Sequence, residues 1–173
     1  YYNFTGLTDG VYYINATAND TMNNIGKTET RTITIDTTAP NIVIESPENI
    51  TYGTTTRLIN ISTTDLHLDK VWFFNGTANE IYNGQVYREF NEGQHTITVW
   101  ANDTAGNTNQ TQVTFTIDLS APTVTFVTPT PTTNSIYNQS FIDTNVTATD
   151  SSGIDTIINY IYNSVGSLID SQS

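Results

Sequence analysis

Cysteine is missing altogether from this chain of 173 residues. That removes disulfides, thiolate metal sites and thiol nucleophiles at once. Basic residues are scarce, with five Lys and Arg against 17 Asp and Glu for a net charge of -12. Nucleic acid and anionic membrane surfaces both reward clustered Lys and Arg, so neither is an expected partner. No apolar run approaches the roughly eighteen residues of a membrane span, so this stretch is not expected to insert directly. The two histidines, His67 and His95, fall on different expected elements, and no Glu stands at metalloprotease spacing from either. There is no Gly-x-Ser-x-Gly elbow and no phosphate-cradling glycine loop. Carboxylates abound, but nearly all sit in polar, turn-like stretches, whereas a catalytic pair needs one in an apolar pocket. The chain is not expected to be an enzyme.

What the chain has is repetition. The run Asp9-Gly10-Val11-Tyr12-Tyr13-Ile14-Asn15-Ala16-Thr17-Ala18-Asn19-Asp20-Thr21 returns 83 residues later as Glu92-Gly93-Gln94-His95-Thr96-Ile97-Thr98-Val99-Trp100-Ala101-Asn102-Asp103-Thr104. Thr34-Ile35-Asp36-Thr37-Thr38-Ala39-Pro40 returns after 82 as Thr116-Ile117-Asp118-Leu119-Ser120-Ala121-Pro122, and Asn60 to Asp65 returns after 85 as Asn145 to Asp150. Three offsets this close imply a tandem array. A unit of this length can bury its own core, unlike a solenoid repeat. Boundaries are expected near residues 38 and 120, with linkers too short for free swinging. Residues 1–38 then hold the last strands of one module, 39–119 a complete one, and 120–173 the first strands of a third. A chain that opens and closes inside a repeat is expected to be a segment of a longer polypeptide.

Helical periodicity is nearly absent. Short β-branched and aromatic runs of period two predict strands near 41–45, 56–63, 69–75, 84–90, 94–102 and 111–117. His95, Ile97, Val99 and Ala101 share one face, and Thr96, Thr98 and Trp100 the other. One apolar and one Thr-rich face is the pattern of an antiparallel sheet wet on one side. Asp103-Thr104-Ala105-Gly106-Asn107 supplies a hairpin turn with residues that tolerate positive φ, and Asn75-Gly76 and Asn83-Gly84 are further turn signals. Pro40 and Pro122 stiffen the entry to each first strand and keep it on a sheet edge.

Gly10-x-Tyr12-x-Ile14 resembles the Gly-x-Tyr-x-Cys stretch of strand F in immunoglobulin domains, with Ile14 in the cysteine's place. The resemblance puts Tyr12 at the tyrosine corner, its hydroxyl bonded back to the backbone, and Trp72 at the core tryptophan of strand C. The Asp-x-x-Ala-Pro boundary, the Ala-x-Asp-x-x-Gly-Asn hairpin and Thr149-Asp150-Ser151-Ser152-Gly153-Ile154 resemble the tandem Ig-like modules of bacterial and archaeal surface proteins. The implied fold is all-β: tandem Ig-like antiparallel β-sandwiches without disulfides. His95 departs from the pattern by replacing the corner tyrosine in the complete repeat. Met22-Asn23-Asn24 departs where the hairpin turn expects Gly-Asn.

In an Ig sandwich the B–C loop, the F–G loop and the chain entry share one end. The resemblance therefore implies that Asp36, Asp65 and Asp103 converge, with Asn102, Asn107 or backbone carbonyls completing an oxygen shell. Calcium takes six to eight oxygens in flexible geometry, so the set is chemically adequate. Asp118, Asp150 and Asp155 offer a second set. The competing reading is that each Asp caps a turn through its own hydrogen bonds. Calcium is the one cofactor the sequence suggests. Trp100 faces outward by alternation, to stack on sugar, on a neighbouring module or across an adjacent strand.

Ten Asn residues head Asn-x-Ser/Thr triplets: Asn3, Asn15, Asn19, Asn49, Asn60, Asn75, Asn102, Asn109, Asn138 and Asn145. Ser and Thr fill 45 of 173 positions, so composition by itself gives roughly five such triplets of this short export-linked motif. The excess predicts N-glycosylation and an extracellular, cell-surface location. The expected function is a non-catalytic structural component of a surface assembly such as a stalk, S-layer or filament. Its expected partners are copies of itself or adjacent Ig-like modules. The alternatives are an adhesin or carbohydrate-binding module recognising glycans, and a spacer in a secreted hydrolase.

Overall fold

A computed structural model describes residues 2–172, and every regular element among them is a β-strand. Contacts divide the chain into two units. The first holds residues 1–50, 56–90 and 94–115, and the second holds 51–55, 91–93 and 116–173.

The first unit begins with a long, interrupted hairpin. Strand β1 (Gly10–Ile14) pairs with β4 (Arg31–Ile35), and β2 (Thr17–Asn19) pairs with β3 (Ile25–Lys27). The expected tyrosine corner is present: the Tyr12 hydroxyl donates to the Thr8 carbonyl at 2.7 Å. At the hairpin tip Asn23 takes a φ of 65°, the role that Gly106 plays in the later copy with a φ of 96°. Asn is among the few non-glycine residues that tolerate this region, so the missing glycine does not break the turn.

The complete module follows. Its strands are β5 (Asn41–Ser46), β6 (Thr51–Tyr52), β7 (Thr56–Thr64), β8 (Leu68–Phe74), β9 (Asn79–Ile81), β10 (Val86–Glu89), β11 (Gly93–Asp103) and β12 (Thr108–Ile117). One sheet has the order β10-β7-β5 and the other β6-β12-β11-β8-β9. The pairs β7–β10, β5–β7, β8–β11 and β8–β9 are antiparallel, and β12 with β6 is parallel. The long strands lie where the alternation expects them. Two short ones, β6 and β9, were not anticipated, because two or three residues show no period. Pro40 is fully buried ahead of β5, which is an edge strand, as the placement of a residue without an N–H requires.

The core is what the alternation selects. Ile59 and Ile61 of β7, Val71 and Phe73 of β8, and Ile97, Val99 and Ala101 of β11 are buried, together with Ile42, Phe90, Phe115 and Ile117. Phe90 meets Phe115 edge-on at 5.0 Å, and His95 lies 5.1 Å from Phe90 and 5.7 Å from Phe115. The imidazole at the corner position thus packs as part of an aromatic cluster. Tyr82, between β9 and β10, accepts the Ile61 N–H at its hydroxyl (3.0 Å), where β7 has run past β10. Arg88 of β10 donates to Glu80 of β9, linking strands of the two sheets.

Trp72 does not occupy the core. Val71 and Phe73 fill that face, so the period of two turns Trp72 outward, half-buried, opposite Trp100. The Ig resemblance places one aromatic in the core of strand C, and here that aromatic is Phe73.

In the second unit β13 (Thr123–Val127) pairs with β14 (Asn145–Thr149), and β15 (Asn159–Tyr162) pairs with β16 (Leu168–Gln172). Cis peptide bonds precede Pro47 and Pro129, which are 82 residues apart and therefore at matching repeat positions.

Removing a fully buried ring leaves a cavity that close packing cannot refill, so Phe73→Ala is expected to cost about 3–5 kcal/mol in chemical denaturation. Tyr87→Ala, at an exposed position of β10, is expected to cost less than about 0.5 kcal/mol.

Candidate functional site: an acidic end of the complete module

Three carboxylates of the first unit meet at one point. Asp36 follows β4, Asp65 follows β7 and Asp103 closes β11. One oxygen from each lies within 4.8 Å of the others. Asp103 is only 2% exposed. Its Oδ1 accepts the Gly106 and Asn107 N–H groups at 2.7 and 2.8 Å, and its Oδ2 accepts the Asn107 side-chain amide at 2.7 Å. Burial pushes the Asp103 carboxyl up, but the Asn107 side-chain bond and the turn N–H groups outweigh it and leave it below the usual carboxylate range. Asp36 Oδ1 accepts Thr38 N–H at 3.1 Å, while its Oδ2 lies 2.5 Å from His67 Nδ1. Asp65 Oδ1 accepts the His67 N–H at 2.7 Å, and the Thr104 N–H donates to the His67 carbonyl at 2.9 Å. A cleft of about 440 Å³, lined by Asp9, Val11, Asp36, Asp65 and His67 among others, opens onto the cluster.

The local cause is plain. Each Asp sits where a strand ends and its backbone N–H groups lose their ladder partners, and its short side chain reaches them. The same bracket recurs through the chain. Asp20 accepts Met22 N–H, Asn24 N–H and the Asn24 amide, as Asp103 does one repeat later. Asp118 accepts Ser120 N–H as Asp36 accepts Thr38 N–H, and Asp150 accepts Ser152 N–H as Asp65 accepts His67 N–H. Asp9 takes Thr37 and Thr38 hydroxyls at 2.7 Å each, and Glu92 takes the Ser120 hydroxyl at 2.7 Å. The Thr38 hydroxyl foremost, then that of Thr37, holds the Asp9 carboxyl low. Asp20 and Asp118 are lowered first by the Asn24 amide and the Ser151 hydroxyl respectively.

Turn capping therefore accounts for every one of these positions. The gathering of three carboxylates is specific to Asp36, Asp65 and Asp103 among the described residues. Asp118 and Asp150 sit near each other's turns, with Ser151 Oγ donating to Asp118 at 2.6 Å, while Asp155 accepts from the adjacent Thr156. These three are not brought together as a metal-capable group.

Three carboxylate oxygens suit a hard divalent cation. The two asparagines do not extend the shell. Asn107 turns its N–H2 toward the site, donating to Asp103 and to the Asp36 carbonyl at 3.0 Å, and its partners are all acceptors, which settles the amide's orientation. Asn102 points to the other face of β11, donating to Asp69 at 3.0 Å. A bound cation would thus rest on Asp36, Asp65 and Asp103 with water. It would compete with His67 for Asp36. The His67 contact was missed in sequence reading, although its position two residues after Asp65 was the available signal.

On the outward face Trp72 and Trp100 stack, with centroids 6.3 Å apart and planes 10° from parallel. The Trp100 indole donates to Gln110 at 2.7 Å. Of the three options open to Trp100, the structure shows the cross-strand one.

Residues 46–119 match a family model described as a bacterial Ig-like domain, and residues 1–71 match one described as a bacterial Ig-like domain of group 3. Among solved structures, the fibronectin(III)-like modules of Clostridium thermocellum CbhA resemble the chain at 18% identity and a TM-score of 0.41. The match covers 66% of this chain and 65% of theirs. No curated protein sequence matches.

A carboxyl held below its unfolded value of 3.8 stabilises the fold fully above that value and loses the contribution as pH falls through the lower folded value. In urea melts, wild type should therefore exceed Asp103→Asn by a constant margin from neutrality to about pH 4 and converge on it below. A margin that does not change with pH would contradict this assignment.

Proposed function

We propose that this chain, a run of bacterial Ig-like modules, is a non-catalytic structural segment of an extracellular surface assembly such as a stalk, S-layer or filament. Bacterial Ig-like domains are typical of extracellular and surface proteins. The observation that carries the reading is the repeated bracket at each module boundary. Asp9 bonds Thr37 and Thr38, and Glu92 bonds Ser120, so successive boundary segments are tied down by the same chemistry. An array that must hold its spacing needs such brackets; a catalytic site does not. Among the described residues no helix is long and apolar enough to cross a membrane.

N-glycans belong to this proposal. Asn3, Asn15, Asn19, Asn49, Asn109, Asn138 and Asn145 are exposed, whereas Asn60, Asn75 and Asn102 are half-buried. Asn75 donates to Glu80, and Asn102 uses its amide on Asp69 and on the Asp103 carbonyl. Attachment at Asn102 would remove one of those bonds. Peptide mapping of natively produced protein is expected to find sugar at Asn19 and far less at its repeat partner Asn102. Bare asparagines throughout, with a catalytic domain in the same polypeptide, would make these modules spacers instead.

Calcium at Asp36, Asp65 and Asp103 is the second part of the proposal, and the tight gathering of their oxygens supports it. Adding calcium to chelator-treated protein is expected to raise the melting temperature, by an increment that disappears in Asp36→Ala. An unchanged melt in wild type would leave the three as turn caps alone.

A further inference from the structure

The outward face of the five-stranded sheet in the complete module carries a row of apolar side chains among Thr, Asn and Gln. Register places Ile81, Trp72 and Trp100 side by side across β9, β8 and β11, and the Trp100 indole continues the row to Gln110 of β12. The next row is Asn79, Phe74 and Thr98. Gln112 ends it, because Trp100 reaches Gln110 on one side of it and Thr96 reaches Thr114 on the other. Ile81 is 57% exposed, the two indoles and Phe74 are half-buried, and Asn79, Gln110 and Gln112 are exposed. A cross-strand indole pair stabilises the sheet by itself. That role does not explain an exposed Ile81 beside it, nor a lack of charge. Neither row holds a charged residue, in a chain whose net charge is -12. Lys70, the next outward residue of β8, is paired with Asp69 at 3.6 Å.

We propose that this face binds a neutral carbohydrate, an extended chain of β-linked pyranoses with equatorial hydroxyls. Such a ring shows only C–H groups on its two flat faces and hydroxyls around its rim. The C–H groups suit an indole, whose ring face is the negative end of a quadrupole. The rim hydroxyls both donate and accept, as do the amides of Asn79 and Gln112 and the hydroxyl of Thr98. Four strands at about 4.8 Å spacing make each row about 14 Å long, room for more than one ring of an extended chain. The two indoles lie within 10° of parallel with centroids 6.3 Å apart, and Gln110 holds Trp100 at 2.7 Å. Their orientation is set before a ligand arrives, which lowers the entropy cost of binding. Charge decides between occupants. An anionic polysaccharide or a second copy of this chain would bring like charge against the net charge of -12. A basic protein surface would be held by carboxylates, and the two rows contain none. The ligand adds to the array reading and does not depend on it.

Trp72 and Trp100 are the only tryptophans in the chain, so its intrinsic tryptophan fluorescence reports on this face. The 173-residue chain, produced without N-glycans so that its own sugars cannot fill the face, is titrated with cellohexaose and with chitohexaose. A saturable fluorescence change is expected, with the same affinity by calorimetry. Trp100→Ala, and separately Ile81→Asp at an already exposed position, should each weaken binding at least about tenfold by calorimetry. A melting temperature for Ile81→Asp equal to that of wild type separates loss of the site from loss of the fold. Tyr87→Ala, on the opposite sheet, should bind as wild type does, and polygalacturonate should not bind. No fluorescence change and no heat with either oligosaccharide overturns the proposal. Binding that survives both Trp100→Ala and Ile81→Asp undiminished overturns it too, as does polygalacturonate binding as tightly as the neutral sugars.

Discussion

An antiparallel hairpin with one apolar face is stable only when that face is covered, and everything in this chain follows from whether it is. In the complete module the face of β11 and β12 is closed by the opposite sheet of β5, β7 and β10, and Ile97, Val99 and Phe115 leave water. Burial of apolar area of this kind is the main favourable term in folding. With no cysteine there is no covalent alternative, and with so few basic residues ion pairs cannot substitute for it. The same hairpin, repeated as β1 to β4, has the same alternation, and its Ile14 and Ile33 stay exposed. Its corner bond from Tyr12 to Thr8 and its Asp20 cap are intact. Local geometry is therefore the same where these side chains are exposed, which separates what the hairpin does for itself from what the sandwich does for it.

The acidic end shows a second constraint. Where strands end, backbone N–H groups need partners, and Asp is the shortest side chain that can serve them with charge. Asp36, Asp65 and Asp103 are each explained as caps in this way, yet the topology brings three caps to one place. Like charges so close need compensation. Here it comes from turn N–H groups, the Asn107 amide and the His67 ring. A cation can replace part of that compensation, so the proposed calcium site and the observed turn caps draw on one geometry.

Most of the fold was legible in the sequence. Alternation located the long strands and selected Ile97, Val99 and Ala101 as inward. The convergence of the three Asp residues was legible too, through the Ig resemblance. Three things were not. Strands β6 and β9 are too short to carry a period, and their existence depends on β12 and β8 having free edges. The Ig resemblance points Trp72 to the core, but its own neighbours, Val71 and Phe73, already fill that face. The orientation of Asn107 could not be foreseen, since an amide presents oxygen or nitrogen according to its partners, and those lie 71 residues away in the chain at Asp36 as well as in its own turn.

Amide hydrogen exchange on the dilute 173-residue chain tests the covering constraint most directly, because β1–β4 and β11–β12 are the same hairpin in two environments. Protection is predicted to be greatest in β11 and β12, reaching that of global unfolding, and to be low in β1 and β4. Equal protection of both hairpins in a monomeric sample would contradict the account, since it would mean that the apolar face does not need its sandwich.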